Sequence, residues 1–115
     1  MTLDEVRVFF EETDRFLLTT HESPDGDGLG AEYALCSALK DLGKDALILN
    51  SDPPASKYGF IDERQLIGTF NQDRRYPDDL SERTLVVLDT EPGNIGVITD
   101  TVLDKCKTVI FIDHH

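Results

Sequence analysis

Residues 16–42 read FLLTTHESPDGDGLGAEYALCSALKDL, and the change of period inside this stretch sets the fold class. Phe16-Leu17-Leu18-Thr19-Thr20 is a short apolar, β-prone run, which predicts a strand. From roughly Leu29 to Leu42 the period lengthens. Ala31, Ala34, Leu35, Ala38, Leu39 and Leu42 fall on one helical stripe, and Gly43 is placed to end the helix. Between the two lies a polar loop, His21-Glu22-Ser23-Pro24-Asp25-Gly26-Asp27-Gly28.

The same alternation continues outward. Thr2 and Glu5 have the form of a capping box, and Leu3, Val6, Phe9, Phe10 and Thr13 follow at helical spacing, so a first helix is predicted over residues 2–14. Asp45 to Asn50 reads as a second strand and Thr84-Leu85-Val86-Val87-Leu88-Asp89 as a third, almost wholly apolar and ending in an acid. Ile95 to Cys106 is a predicted helix, and Thr108 to Ile112 a last strand running into Asp113-His114-His115. Residues 51–83, rich in Pro, Asp and Arg, offer only an apolar patch at Leu66-Ile67 and Phe70. Strands apolar on both faces, alternating with helices, define the α/β class: an open parallel sheet with helices on both faces. No helix follows the last strand, so the sheet is expected to be incomplete at its carboxyl end.

Composition excludes several functions. The first fifteen residues thread charges through their apolar positions, unlike a signal peptide or a membrane anchor. No membrane association is expected, and the cytoplasm is the default compartment. A formal net charge of −12 repels nucleic acid phosphates, so a phosphate substrate would need cations at its site. Cys36 and Cys106 read as buried thiols rather than a disulfide or zinc site.

Polar groups gather where predicted strands finish: His21, Asp25 and Asp27 after the first, Asp89 at the third, Asp113, His114 and His115 at the last. In open α/β sheets ligands bind outside the carboxyl ends of strands. Carboxylates crowded there repel one another by about 4 kcal/mol per pair at ~4 Å and an effective dielectric near 20. Cations relieve that repulsion. Mixed imidazole and carboxylate donors favour Mn²⁺, Fe²⁺, Co²⁺ or Zn²⁺ over Mg²⁺.

Each segment also has a plainer reading. Pro24 to Gly28 suits a turn with Asp27 capping the next helix. An EF-hand fails, because position five of such a loop is Leu29 and position twelve is Cys36. A dinucleotide fingerprint at Gly26-x-Gly28-x-x-Ala31 would set Asp25 and Asp27 against a pyrophosphate. Asp89 could merely open a turn before Pro92 and Gly93, and Asp113-His114-His115 could be the stub of an affinity tag. The plainer readings weaken when all three segments fall at strand ends together.

His21-x-x-x-Asp25-x-Asp27, strand-terminal Asp89 and Asp113-His114-His115 resemble motifs I, II and III of the DHH phosphoesterase superfamily. The leader H-x-x-P-D-G-D-x-x-G, with Pro24 and Gly30, is similar to the branch holding bacterial oligoribonucleases of the NrnA type and cyclic-di-AMP phosphodiesterases. The resemblance spans about residues 16–115. It implies a Rossmann-like DHH domain and two Mn²⁺ ions, with Mg²⁺ or Co²⁺ as alternatives. One ion would be held by His21, Asp25 and Asp89, the other by Asp27, Asp89 and His114, with Asp89 bridging. His115 would contact the substrate phosphate, and Asp113 would orient the neighbouring imidazoles.

The implied activity is two-metal hydrolysis of short oligoribonucleotides or of the 3′-phosphate of adenosine 3′,5′-bisphosphate, with cyclic-di-AMP as the alternative substrate. A homodimer of the full-length protein is a further expectation. The family's fourth motif and its DHHA1 substrate domain are absent from residues 1–115, so this stretch by itself is expected to be a catalytically incompetent metal-binding module. Glu91-Pro92-Gly93-Asn94 stands where relatives often carry an Arg. A structural α/β domain with dispersed surface acids is the remaining alternative.

Overall fold

The computed structural model describes residues 2–70, 77–90, 95–96 and 102–112. Five strands form one wholly parallel sheet: β1 (Arg15–Thr19), β2 (Asp45–Asn50), β3 (Ile67–Thr69), β4 (Thr84–Leu88) and β5 (Thr108–Ile112). Their spatial order is β3-β2-β1-β4-β5. The chain therefore builds outward from β1 to β3, then returns to add β4 and β5 on the other side. That reversal makes the gap between the carboxyl ends of β1 and β4 the topological switch point. Register across it pairs Leu18 with Val86 and Thr19 with Val87.

Two α-helices are described. In α1 (Leu3–Glu12) the Thr2 hydroxyl accepts from the Glu5 amide at 3.1 Å, as the capping pattern predicts. In α2 (Gly26–Asp41) the helix begins three positions before the predicted Leu29, because Asp25 caps it. Asp27, the cap in the plainer reading of this loop, sits in the first turn. At the other end Gly43 adopts φ 80°, donating to Lys40 O at 2.9 Å, while Lys44 N donates to Leu39 O at 3.0 Å. This is a Schellman ending, which the left-handed glycine permits.

The buried stripe of α2 differs from the predicted one. Gly28, Leu29, Glu32, Cys36 and Leu39 face the sheet, while Ala31, Ala34 and Ala38 are exposed and Leu42 is 72% exposed. Alanine loses little by facing water, so its spacing carries weak information about the inward face. Gly28 is there for close approach: a Cβ would lie 2.5 Å from Thr20 Oγ1.

The core has two halves. Phe16, Leu18, Ala46, Ile48, Val86 and Leu88 meet Cys36 and Leu39 of α2, with Phe10 of α1 stacked on Phe16 at 5.3 Å. On the opposite face Leu17, Leu49, Leu85 and Val87 pack against Leu80, Ile95 and Val102. Both cysteines are free, Cys36 buried and Cys106 half-buried. No helix among the described residues is long and apolar enough to cross a membrane.

Two further elements differ from expectation. Ile95–Gly96 and residues 102–107 are turns and bends where a helix over Ile95 to Cys106 is predicted; residues 97–101 lie outside the described set. Within the stretch that gave no strand signal, Ile67–Thr69 adds an edge strand. Three residues with a central glycine are too short to show a period.

A chain of buried polar groups runs beneath the carboxyl ends of the strands. Asn50 Nδ2 donates to Glu32 Oε2 at 2.9 Å, and Asn50 Oδ1 accepts from Thr20 N at 3.2 Å and from Thr19 Oγ1 at 3.4 Å. Thr20 Oγ1 donates to Leu88 O at 2.8 Å. Glu32 has no solvent exposure. Burial pushes its carboxyl well above the usual range, with the Asp62 charge adding to the effect and the Asn50 bond opposing it.

A raised folded value means that the native state keeps a proton which the unfolded chain has released. Stability from this group is complete below the unfolded value near 4.3 and is lost as pH rises through the folded one. Glu32→Gln is expected to remove that loss. Its melting temperature should gain on wild type steadily from about pH 4.5 upward, and a gap constant with pH would contradict a buried neutral acid.

Candidate metal centre

His21, Asp25 and Asp89 come together at the switch point, their donor atoms all within 4.8 Å of one another. His21 follows β1 by two residues and Asp89 follows β4 directly. Asp25 is brought in by Pro24, buried beneath the loop, and by its capping bond from Gly28 N at 2.9 Å. His21 Nε2 lies 3.5 Å from Asp25 Oδ1.

Local geometry presets each donor. His21 Nδ1 is 2.6 Å from its neighbour's carbonyl, Glu22 O. A carbonyl can only accept, so the proton of the neutral ring resides on Nδ1 and the lone pair of Nε2 faces Asp25. Asp25 is held below the usual carboxylate range, chiefly by the Gly28 amide, with partial burial opposing. It therefore stays ionised. Asp89 is 8% exposed and takes φ 62°, a left-handed conformation that Asp tolerates better than most side chains. Ser23, also left-handed at φ 50°, donates its amide to Asp52 Oδ2 at 2.8 Å, tying the loop to the segment after β2.

The donor set suits a transition-metal dication: one neutral imidazole nitrogen and two carboxylates. With metal–ligand bonds of about 2.0–2.2 Å, donors around one ion sit roughly 3–4 Å apart, so sub-ångström movements close the site. The amino terminus of α2 ends here as well, and its positive dipole end offsets carboxylate charge and favours an anionic ligand.

Asp27 is exposed in the first turn of α2 and contributes no atom to this group. Asp113, His114 and His115 lie outside the described residues. Sequence reasoning missed Thr20, Glu32 and Asn50. Glu32 left one trace: a charge at position i+4 from Gly28 and i−4 from Cys36, on what proves to be the inward face.

These features define a Rossmann-like α/β domain with a wholly parallel sheet, carrying a candidate cation site at its switch point; both described α-helices pack on one face of that sheet. The DHH family, N-terminal domain, matches residues 15–115, and the chain belongs to that family of phosphoesterases.

A bifunctional oligoribonuclease and PAP phosphatase NrnA from Thermus thermophilus is 34% identical over 104 residues, covering 85% of this chain. The crystal structure of an exopolyphosphatase-related protein from Bacteroides fragilis superposes with a TM-score of 0.85 at 23% identity, covering 97% of the chain. The chain spans only 27% of the first relative's length and 34% of the second's.

Proposed function

We propose that this domain serves a manganese-dependent hydrolase of small phosphoesters, cleaving short oligoribonucleotides and the 3′-phosphate of adenosine 3′,5′-bisphosphate. The observation that carries this reading is the convergence of His21, Asp25 and Asp89 at the switch point of a DHH-family sheet. The choice of substrate leans on the 34% identical relative. A longer polypeptide with the fourth motif and a separate substrate domain fits the 27% coverage of that relative.

In this reading His21, Asp25 and Asp89 hold one ion, and Asp27, Asp89 and His114 a second. Asp113 orients the imidazoles, and His115 meets the substrate phosphate. Bound dications supply a water of lowered pKa and neutralise charge building on the phosphoryl oxygens. Asp25 and Asp89 bring the negative charge that attracts the ions. His21 presents Nε2 because Glu22 O fixes its tautomer. The amino terminus of α2 draws the phosphate, while a net charge of −12 disfavours long polyanions and so favours short substrates.

Full-length protein with Mn²⁺ should be assayed on adenosine 3′,5′-bisphosphate, a diribonucleotide and cyclic-di-AMP. Phosphate release from the first and mononucleotides from the second are expected, with both activities lost in chelator. Cleavage of cyclic-di-AMP with the bisphosphate untouched would reverse the substrate assignment. Absence of Mn²⁺-dependent turnover on all three would overturn the reading.

A further inference from the structure

Beyond the ion-binding residues, the buried polar chain beneath the site has a feature that simple core packing does not require. Parallel β1 and β4 are in register as far as Thr19 and Val87. One residue further, the connection between these strands is the bond from the Thr20 hydroxyl to Leu88 O. Thr20 immediately precedes His21, and Leu88 immediately precedes Asp89. A single side-chain bond of 2.8 Å thus joins the two strand ends that carry an imidazole and a carboxylate into the site.

Thr20 is itself held. Its amide is fixed by Asn50 Oδ1, and Asn50 is fixed by Glu32. Its side chain is pressed by α2, where Gly28 leaves room only because it lacks a Cβ. Thr20, Asn50 and Glu32 each have no solvent exposure, so the chain operates without water competing for its bonds. Glu32 Oε1 meets no hydrogen-bond partner among the described residues. A leucine or methionine would fill that space without desolvating a carboxyl, and stability alone gives no reason for an acid there.

We infer that Thr20, anchored through Asn50 and Glu32, is a positioning residue that sets the spacing between His21 and Asp89. The inference rests on the metal-site reading above. Thr20 does not itself contact an ion; it fixes how far apart the two strand ends stand, and donor spacing decides how well an ion is held.

The test compares Mn²⁺ affinity by calorimetry with melting temperature in chelator, using the full-length protein. Thr20→Val keeps the shape and removes the hydroxyl; it is expected to weaken Mn²⁺ binding about tenfold or more. Thr20→Ser, which restores the donor, is expected to recover affinity to within about twofold of wild type by the same reasoning. Leu39→Ala, a core truncation at the far end of α2, should lower the melting temperature at least as much yet leave Mn²⁺ affinity within about twofold, since it creates a cavity away from the donors.

If Thr20→Val does not fold, Glu32→Met cuts the same chain two links back and is expected to weaken Mn²⁺ binding about threefold or more. Wild type that binds Mn²⁺ and keeps its affinity in Thr20→Val, or in Glu32→Met, overturns the positioning role alone. Equal affinity loss in Leu39→Ala overturns it too, since general destabilisation would then suffice. Failure of wild type to bind Mn²⁺ overturns the metal-site reading, and this inference falls with it.

Discussion

Replacing Asp89 with asparagine is expected to weaken Mn²⁺ binding by about 100-fold or more, because an anionic donor becomes a neutral amide. The same change is expected to raise the melting temperature in chelator. Asparagine accepts φ near 62° as readily as aspartate, so the backbone at the end of β4 is preserved. What changes is charge. Asp89 is 8% exposed and its donor atom lies within 4.8 Å of that of Asp25. Two carboxylates at that distance repel by about 3 kcal/mol at an effective dielectric near 20.

Asp25 has a side chain 53% exposed, and solvent screening leaves roughly 1 kcal/mol of this. Removing it should raise the melting temperature by about 3–5 °C. Titration calorimetry and thermal melts in chelator read the two effects separately. Unchanged Mn²⁺ affinity would remove Asp89 from the site. A lower melting temperature in chelator would mean that other partners hold its carboxylate more strongly than Asp25 opposes it.

The largest loss of stability is expected at the opposite edge of the sheet. Arg83→Met should destabilise the protein by about 3 kcal/mol, or roughly 10 °C in melting temperature. The Arg83 side chain is 5% exposed and makes three bonds: Nε to Asp79 Oδ1 at 2.8 Å, Nη1 to Phe16 O at 2.8 Å and Nη2 to Asp45 Oδ2 at 2.9 Å. It thereby gathers the amino-terminal ends of β1, β2 and β4. Methionine fills the volume but leaves the Phe16 carbonyl without this partner and two acids side by side. Lysine cannot form the planar three-way fork, so Arg83→Lys should recover little.

Acid should narrow the difference. The hydrogen bond from Arg83, with its charge and that of Arg15, holds the Asp79 carboxyl below the usual range. A lowered folded value contributes stability above the unfolded value near 3.9, and that contribution is lost as pH falls through the folded one. Arg83→Met lacks the share that Arg83 supplies at every pH, so the gap between wild type and variant should narrow below about pH 4 to the part due to the Phe16 carbonyl bond. A gap that widens in acid would mean that the Asp79 pair is not what Arg83 contributes.

The candidate site was legible to the degree that its chemistry is local. The His21-to-Asp27 loop and Asp89 announce themselves as polar groups placed directly after apolar strands, and the structure brings His21, Asp25 and Asp89 together. Which acid caps α2 was not legible. Asp25 and Asp27 are both good caps, and the choice of Asp25 depends on where Pro24 is buried and how closely Gly28 approaches Thr20. Thr20, Asn50 and Glu32 were also hidden, since a threonine in a β-prone run and a glutamate on a helix are ordinary at those positions.

The sequence by itself determined the α/β class, the parallel character of the sheet, the positions of β1, β2, β4 and β5, and the ending of α2 at Gly43. Each follows from short-range physics: apolar periods of fixed length, turn residues of fixed conformation, and strands too apolar to face water. Tertiary structure alone decided the order β3-β2-β1-β4-β5, the inward face of α2, the edge strand Ile67–Thr69 and the buried role of Arg83. These depend on which surfaces meet. A guanidinium or a glutamate becomes an interior group only when residues distant in the chain close around it, and no window of sequence contains that encounter.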